Sequence, residues 1–306
     1  MRKVICAGET ILDILFKNNQ PIAAVPGGSS FNCIISLGRA GVPAFFLGET
    51  GEDAVGDQIA AFLKENQVST DYFTTRKDIR TAVSLAYLNE KNDAQYVFYK
   101  DKPKPNDNFC IPDFQKEDIL VLGSYYAICP NLRAQVKQLL HANKEAGGMV
   151  YYDINFRKSH QQELEALTPA IQENFTLASI VRGSADDFEI MYGTREAEVI
   201  YKEKIAPYCP VFICTNANKE LKVCLPDRVL AFPITPIKTV STIGAGDNFN
   251  AGFVYGLMRY GIKKEDLLQM ENHQWEKLVN CGLYFAANVC QSIHNSIDPK
   301  LDLSCL

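Results

Sequence analysis

Short apolar runs rich in β-branched residues alternate along this chain with stretches whose apolar positions recur every three or four residues. The runs fall at residues 4–7, 44–47, 119–122, 149–152, 179–181 and 211–214. Runs of this kind predict parallel strands buried on both faces, and the stretches between them predict crossover helices. Helices are predicted over residues 30–40, closed by Gly41, and over 54–66, where Asp53 caps and Val55, Ile59, Phe62 and Leu63 form the buried face. Others are predicted at about 131–146 and about 276–292. The pattern predicts an α/β fold with a mostly parallel sheet flanked by helices. Two segments, about 14–25 and 81–99, read instead as antiparallel hairpins, with turn signals at Asn18-Asn19 and over residues 90–93. They adjoin Asp13, Gly27, Gly28 and Lys100, and form either a water-excluding lid or a plain surface flap. No repeat or composition shift marks a second domain, so a single domain over residues 1–306 is expected, with a lid from about 14–25 and 81–100.

The run STIGAGDNFNAGFVYGL, residues 241–257, adds candidate chemistry. Gly244 and Gly246 stand where a loop becomes a helix whose buried stripe is Phe249, Phe253, Val254 and Leu257. Backbone amides at a helix N-terminus attract anions, and glycines let them turn inward around a phosphate. Asp247 sits at the rim of that anion hole. A carboxylate repels a phosphate, but it suits a base that takes a proton from an attacking hydroxyl. The alternative is a tight turn with a cap. No Gly-Lys-Ser/Thr follows, so this is not a Walker A loop.

Composition narrows the classes. The chain has 306 residues, 47% of them hydrophobic, and a net charge of -5 without a long basic run, which argues against a nucleic-acid or membrane-surface partner. Ten cysteines lie scattered without C-x-x-C pairs, several inside apolar runs, which points to a reducing cytoplasm. Gly8, Glu9 and Asp13 interrupt any signal-peptide core, and no apolar run reaches membrane-spanning length.

Five segments in order, GETILDI (8–14), PGGSSFN (26–32), GETGEDAVG (48–56), DINFR (153–157) and STIGAGDNF (241–249), resemble the ribokinase-like, or PfkB, sugar kinases over nearly the whole chain. The resemblance implies a three-layer ribokinase-like α/β fold with a small β-lid that often doubles as a homodimer interface. It also implies ATP and magnesium as cofactors and a small sugar as substrate. Asp247 then corresponds to the catalytic base, with the amides of Ala245, Gly246 and Asp247 stabilising the transferring group and Gly244 opening the loop. On the sugar side it implies Asp13, Gly27, Gly28, Asn32, Lys100, Asn155 and Arg157. Three of these have bland alternatives: Asp13 a turn carboxylate, Asn32 a solvated helix residue, and Arg157 an ion-pair partner of Asp153. On the nucleotide side it implies Ser184, Thr215, Asn216, Gly244, Gly246 and Asn288.

The D-x-N-x-R segment resembles fructokinases and 2-keto-3-deoxygluconate kinases most. Lys100 lacks the fork that matches a carboxylate, which favours a neutral ketohexose and hence fructose. The chain departs from the family at Ser241, where aspartate is usual, and this argues against monovalent-cation activation. Asp187 stands for the family glutamate linked to magnesium through water, or is only a helix-opening carboxylate. The nucleotide segment TNANKE, residues 215–220, carries Ala217 and Glu220 where relatives usually have glycine, and Asn295-Ser296 replaces a Gly-Ala pair. These changes keep open a weakened sugar-binding protein on a kinase scaffold. A nucleoside kinase, to which the lid aromatics Tyr87, Tyr96, Phe98 and Tyr99 would be suited, is the lesser alternative.

Overall fold

The computed structural model describes residues 2–90, 94–217 and 219–306. Most of the 90–93 turn signal and position 218 of the nucleotide segment therefore lie outside the described residues. The chain forms two compact units, one of residues 1–4, 103–236 and 256–280, the other of residues 5–102, 237–255 and 281–306.

In the first unit a sheet runs in the order Val229–Pro233, Glu220–Cys224, Phe212–Asn216, Ile180–Ser184, Met149–Asp153, Ile119–Gly123. The last four are parallel, as their apolar runs predict, while Glu220–Cys224 and Val229–Pro233 add an antiparallel edge. Register places Asp153 beside both Gly123 and Arg182, and Ser184 beside Thr215, so the strands' carboxyl ends stand level. Helices Arg133–Glu145 and Leu164–Leu177 pack on Met149–Asp153, and Ala185–Tyr192 packs on Ile180–Ser184 and Phe212–Asn216. Tyr151, Val181, Ile213, Phe175 and Phe188 are buried between them. Full burial of each such side chain contributes about 1.5–3 kcal/mol.

In the second unit, helices Ser29–Arg39 and Ala54–Glu65 pack on the strand Ala44–Gly51. Asp53 caps the second helix, its carboxylate accepting the Gly56 amide at 2.8 Å. A separate four-stranded sheet has the order Gln20–Gly27, Ile11–Lys17, Val83–Leu88, Ala94–Tyr99. Its two outer pairings are the expected antiparallel hairpins, and its central pairing is parallel. Asn18 and Asn19 both adopt positive φ, 52° and 60°, as a two-residue turn between right-twisted strands requires. The first of these strands begins at Ile11 rather than near 14, so Asp13 stands inside the sheet rather than in a turn before it. Asp13, Ser84 and Phe98 are cross-strand neighbours on one face.

Among the described residues no helix is long and apolar enough to cross a membrane. Among the described residues no cysteine is in a disulfide.

Candidate active site

Within the second unit, the loop before the helix Ala245–Arg259 carries the candidate base. Gly244 holds φ at 76°, a left-handed conformation that favours glycine. The Ala245 amide closes a turn onto the Thr242 carbonyl at 3.2 Å. The Gly246 and Asp247 amides follow in the helix's first turn, which lacks intrahelical acceptors. Asp247 is half-buried, and its Oδ2 accepts a hydrogen bond from Asn32 Nδ2 at 2.8 Å. Asn32 is buried in the helix Ser29–Arg39, so the solvated-face alternative does not hold. Its Oδ1 is buried without a hydrogen-bond partner among the described residues.

Asp13 completes this group from the sheet. The Ser84 hydroxyl donates to Asp13 Oδ1, and both side chains are buried. A Cβ on Gly27 would stand 2.8 Å from Asp13 Oδ2 and 3.8 Å from Asn32 Oδ1, so glycine keeps the space between these polar groups open. Gly28 has φ of 125°, and a Cβ there would meet the Glu9 carbonyl at 2.5 Å. Lys100, just past the strand Ala94–Tyr99, pairs with Glu9 at 3.7 Å and lies over the Phe98 ring.

Burial raises the Asp13 carboxyl above its ordinary value, with the Ser84 bond opposing. A carboxyl raised in this way stabilises the fold fully only below its unfolded pKa, and that contribution is lost as pH rises through the folded one. Asp13→Asn, which keeps an acceptor for Ser84, is therefore expected to raise the melting temperature at neutral pH and to leave it unchanged below pH 3.8. Thermal unfolding across that range checks this. A lower melting temperature at neutral pH would contradict it.

The base loop is anchored by polar residues that sequence reading did not single out. Asn248, fully buried, accepts from the Ser36 hydroxyl and donates through Nδ2 to the Gly244 and Asn295 carbonyls, each at 2.8 Å. The Ile297 amide in turn donates to Ser36 Oγ at 3.1 Å. Two polar residues on a helix's buried side, Asn248 and Asn250, were the available signal. Asn288 is engaged nearby in sequence, its Oδ1 accepting the Asp298 amide at 2.8 Å.

Within the first unit a second group lines the carboxyl ends of the parallel strands. Arg182, buried and unforeseen from sequence, donates through Nη1 to both Asp153 oxygens at 3.1 Å and through Nη2 to Thr215 Oγ at 2.8 Å. Burial alone would lower the Arg182 pKa, but Asp153, Tyr151 and Asp187 together outweigh it and hold it above the ordinary value. Asp153 thus pairs with Arg182, not with Arg157, which is exposed at the start of the turn Lys158–Glu163. Asn155 is buried, and its Nδ2 donates to Ser124 Oγ at 2.5 Å.

Ser184 and Asp187 form a reciprocal cap. Asp187 Oδ2 accepts the Ser184 amide at 2.8 Å, and Ser184 Oγ accepts the Asp187 amide at 3.1 Å. The helix-opening role is therefore realised. Burial, then repulsion from Asp153, pushes the Asp187 carboxyl up. Among the described residues no group of three or more His, Cys, Asp or Glu could hold a metal ion.

Asn216 Oδ1 accepts from Arg195 at 3.2 Å, and the next residue, Ala217, has φ of 46°. Glycine adopts that conformation without the penalty a Cβ brings, about 1–2 kcal/mol. Ala217→Gly should accordingly stabilise the protein by up to about 1 kcal/mol, the rest being offset by unfolded-state entropy. Urea denaturation measures this, and a destabilised variant would show that the loop gains nothing from glycine.

Residues 1–300 match the pfkB family carbohydrate kinases. The chain belongs to that family. A fructokinase from Klebsiella pneumoniae is 25% identical over 270 residues, covering 85% of this chain and 86% of the relative. Two solved structures share the fold at a TM-score of 0.82. One is Salmonella enterica aminoimidazole riboside kinase with its riboside and an ATP analog, at 20% identity, covering 96% of this chain and 95% of that one. The other is a fructokinase double mutant from Vibrio cholerae with fructose, ADP and potassium ion, at 24% identity, covering 96% and 94%. As a pfkB-family carbohydrate kinase the chain is a sugar phosphotransferase with a ribokinase-like α/β fold, and the family implies use of ATP.

Proposed function

We propose that this kinase transfers the γ-phosphate of ATP to a hydroxyl of fructose. One observation carries the acceptor site. Asn32 donates one N–H to Asp247 and leaves Oδ1 buried and, among the described residues, unpaired beside Gly27. A buried acceptor without a partner costs about 1–3 kcal/mol, and a sugar hydroxyl would satisfy it. Asp13 accepts further hydroxyls, and Gly27 and Gly28 admit the sugar close to the backbone. Asp247 takes the proton of the attacking hydroxyl.

On the nucleotide side, Thr215 Oγ accepts from Arg182, so its own proton remains to donate to the nucleotide. Ser184 and Asn216 are the further nucleotide candidates of that unit, and Asn288 and the glycine loop those of the other. When bound, magnesium-ATP supplies the phosphoryl group and the neutralising charge. Magnesium keeps several waters and needs only one or two carboxylates. Asp187 through water is the contact this chain offers, and it is a weak one because its Oδ2 already accepts the Ser184 amide. The amides of Gly246 and Asp247 hold charge on the transferring group.

The Lys100 pairing with Glu9 supports a neutral sugar over a keto-acid, because the cation already has a carboxylate. Ser241, neutral and accepting the Ile243 amide at 3.2 Å, supports a reaction without potassium activation. Tyr87, Val97 and Tyr99 are exposed on the face of the four-stranded sheet opposite Asp13, which supports its use as a lid whose outer side joins a second copy. The test is ADP release over fructose, 2-keto-3-deoxygluconate, ribose, tagatose phosphate and nucleosides, with and without potassium. Fructose is expected to react fastest, with potassium making no difference. Strong keto-acid turnover with idle fructose would replace the substrate, and sugar binding without any turnover would make this a binding protein.

A further inference from the structure

Three polar side chains of the second unit border the space that Gly27 leaves open, and one of them, Asn295, lies outside the five sequence segments that brought out the others. From the point where a Cβ on Gly27 would stand, Asp13 Oδ2 lies 2.8 Å away, Asn295 Nδ2 3.5 Å and Asn32 Oδ1 3.8 Å. Asp13, Gly27 and Asn32 are buried, and Asn295 is half-buried.

The Asn295 backbone is tied to the loop that carries Asp247. Its carbonyl accepts Asn248 Nδ2 at 2.8 Å, and a Cβ on Gly244 would meet that carbonyl oxygen at 3.1 Å. The side chain is committed to nothing. It reaches the Gly27 space, yet its carboxamide makes no hydrogen bond among the described residues. Asp13 Oδ2 and Asn32 Oδ1 are both acceptors, so the carboxamide gains by turning its NH2 toward them rather than its oxygen. A hydroxyl suits two acceptors and a donor around one space, because it gives one proton and receives another. An ammonium group would satisfy Asp13 and Asn32 but would meet Asn295 proton to proton.

We propose that Asn295 is a specificity-determining contact for the acceptor substrate, its Nδ2 donating to the oxygen of a hydroxyl whose own proton goes to Asp13 or Asn32 Oδ1. This rests on the sugar-kinase reading above. It makes the site selective for a hydroxyl at that place over an amine or a bare carbon.

Two variants test the contact. Asn295 has no positive φ, so alanine fits its backbone, and the carbonyl that Asn248 holds is retained. Asn295→Ala is expected to raise the KM for the sugar roughly 3- to 10-fold, the effect of one lost neutral hydrogen bond. The KM for ATP should be unchanged, and the melting temperature should stay within about 2 °C of wild type. Asn295→Asp keeps the shape but replaces the donor with a third acceptor, so at neutral pH its sugar KM should rise further than that of the alanine variant. Wild-type sugar KM in Asn295→Ala, or an equal change in the ATP KM, overturns the proposal while leaving the kinase reading intact. A lower melting temperature with unchanged sugar KM also overturns it, and assigns Asn295 to a structural water. The sugar is whichever of the panel the wild type turns over fastest. If the wild type turns over none, the kinase reading fails, and fructose-induced elevation of the melting temperature becomes the readout. Elevation in the wild type that both variants diminish supports the Asn295 contact. Equal elevation in the variants, or none in the wild type, overturns it.

Discussion

Asp247→Asn is expected to leave sugar binding in place and to lower kcat by roughly 10²- to 10⁴-fold, the usual contribution of general-base catalysis. Asparagine has nearly the same shape, so the loop held by Gly244 and Asn248 is undisturbed. What changes is proton affinity. A carboxylate can take the proton of a hydroxyl as its oxygen attacks phosphorus, and a neutral amide cannot. The Asn32 contact bears on the expectation, because Asn32 Nδ2 donates to Asp247 Oδ2 and so helps to orient the carboxylate, a contact that the asparagine's own carbonyl oxygen can still accept. Steady-state kinetics paired with sugar-induced thermal shift measure both halves. Near-normal turnover in the variant would remove Asp247 from the chemistry.

Arg182→Met is expected to cost about 3–5 kcal/mol of stability, the range for breaking a buried ion pair by removing one partner. The loss arises from what stays behind. Asp153 is buried with both oxygens directed at Arg182 Nη1, and Asp187, also buried, already feels the Asp153 charge. Removing the guanidinium leaves these carboxylates without their cation. Adding Asp153→Asn to the variant should recover part of the loss, since it neutralises one orphaned charge. Urea unfolding of the single and double variants tests the account, and a double variant no better than Arg182→Met alone would refute it.

Much of the fold can be read from period and punctuation. The six apolar runs all lie on or across strands, the Asn18-Asn19 turn has the left-handed backbone its residues favour, and Asp53 caps where its position before an apolar stripe says it should. The helix Leu164–Leu177 was hidden because Pro169 lies inside it; Thr168 bonds the Leu164 carbonyl in the same turn. The edge strands Glu220–Cys224 and Val229–Pro233 fall outside those runs: the first interleaves Glu220 and Lys222 with Leu221 and Val223, and the outermost, though apolar, is half-exposed and ends in Pro233.

At the site, residue types were legible but partners were not. Motif spacing brought out Asp13, Asn32, Asp153 and Asp247, yet Asp13 meets Ser84 from 71 residues away and Asn32 meets Asp247 from 215. Periodicity tells which face a side chain occupies, whereas a partner depends on strand order and register, which are set by the whole sheet. For the same reason Asp153 suggested Arg157, four residues on, when its ion-pair partner comes from the neighbouring strand.

The anchoring of the base loop also bears on how the protein is made. Asn248 is bonded to the Asn295 carbonyl, 47 residues further along the chain, and Ser36 waits 261 residues for the Ile297 amide. During synthesis the sheets and the Asp13 group can be complete while the segment that locks the loop is still inside the ribosome. The Asp247 loop is therefore fixed late, and a chain stalled between residues 248 and 295 would hold much of the Asp13 group without a set Asp247 carboxylate.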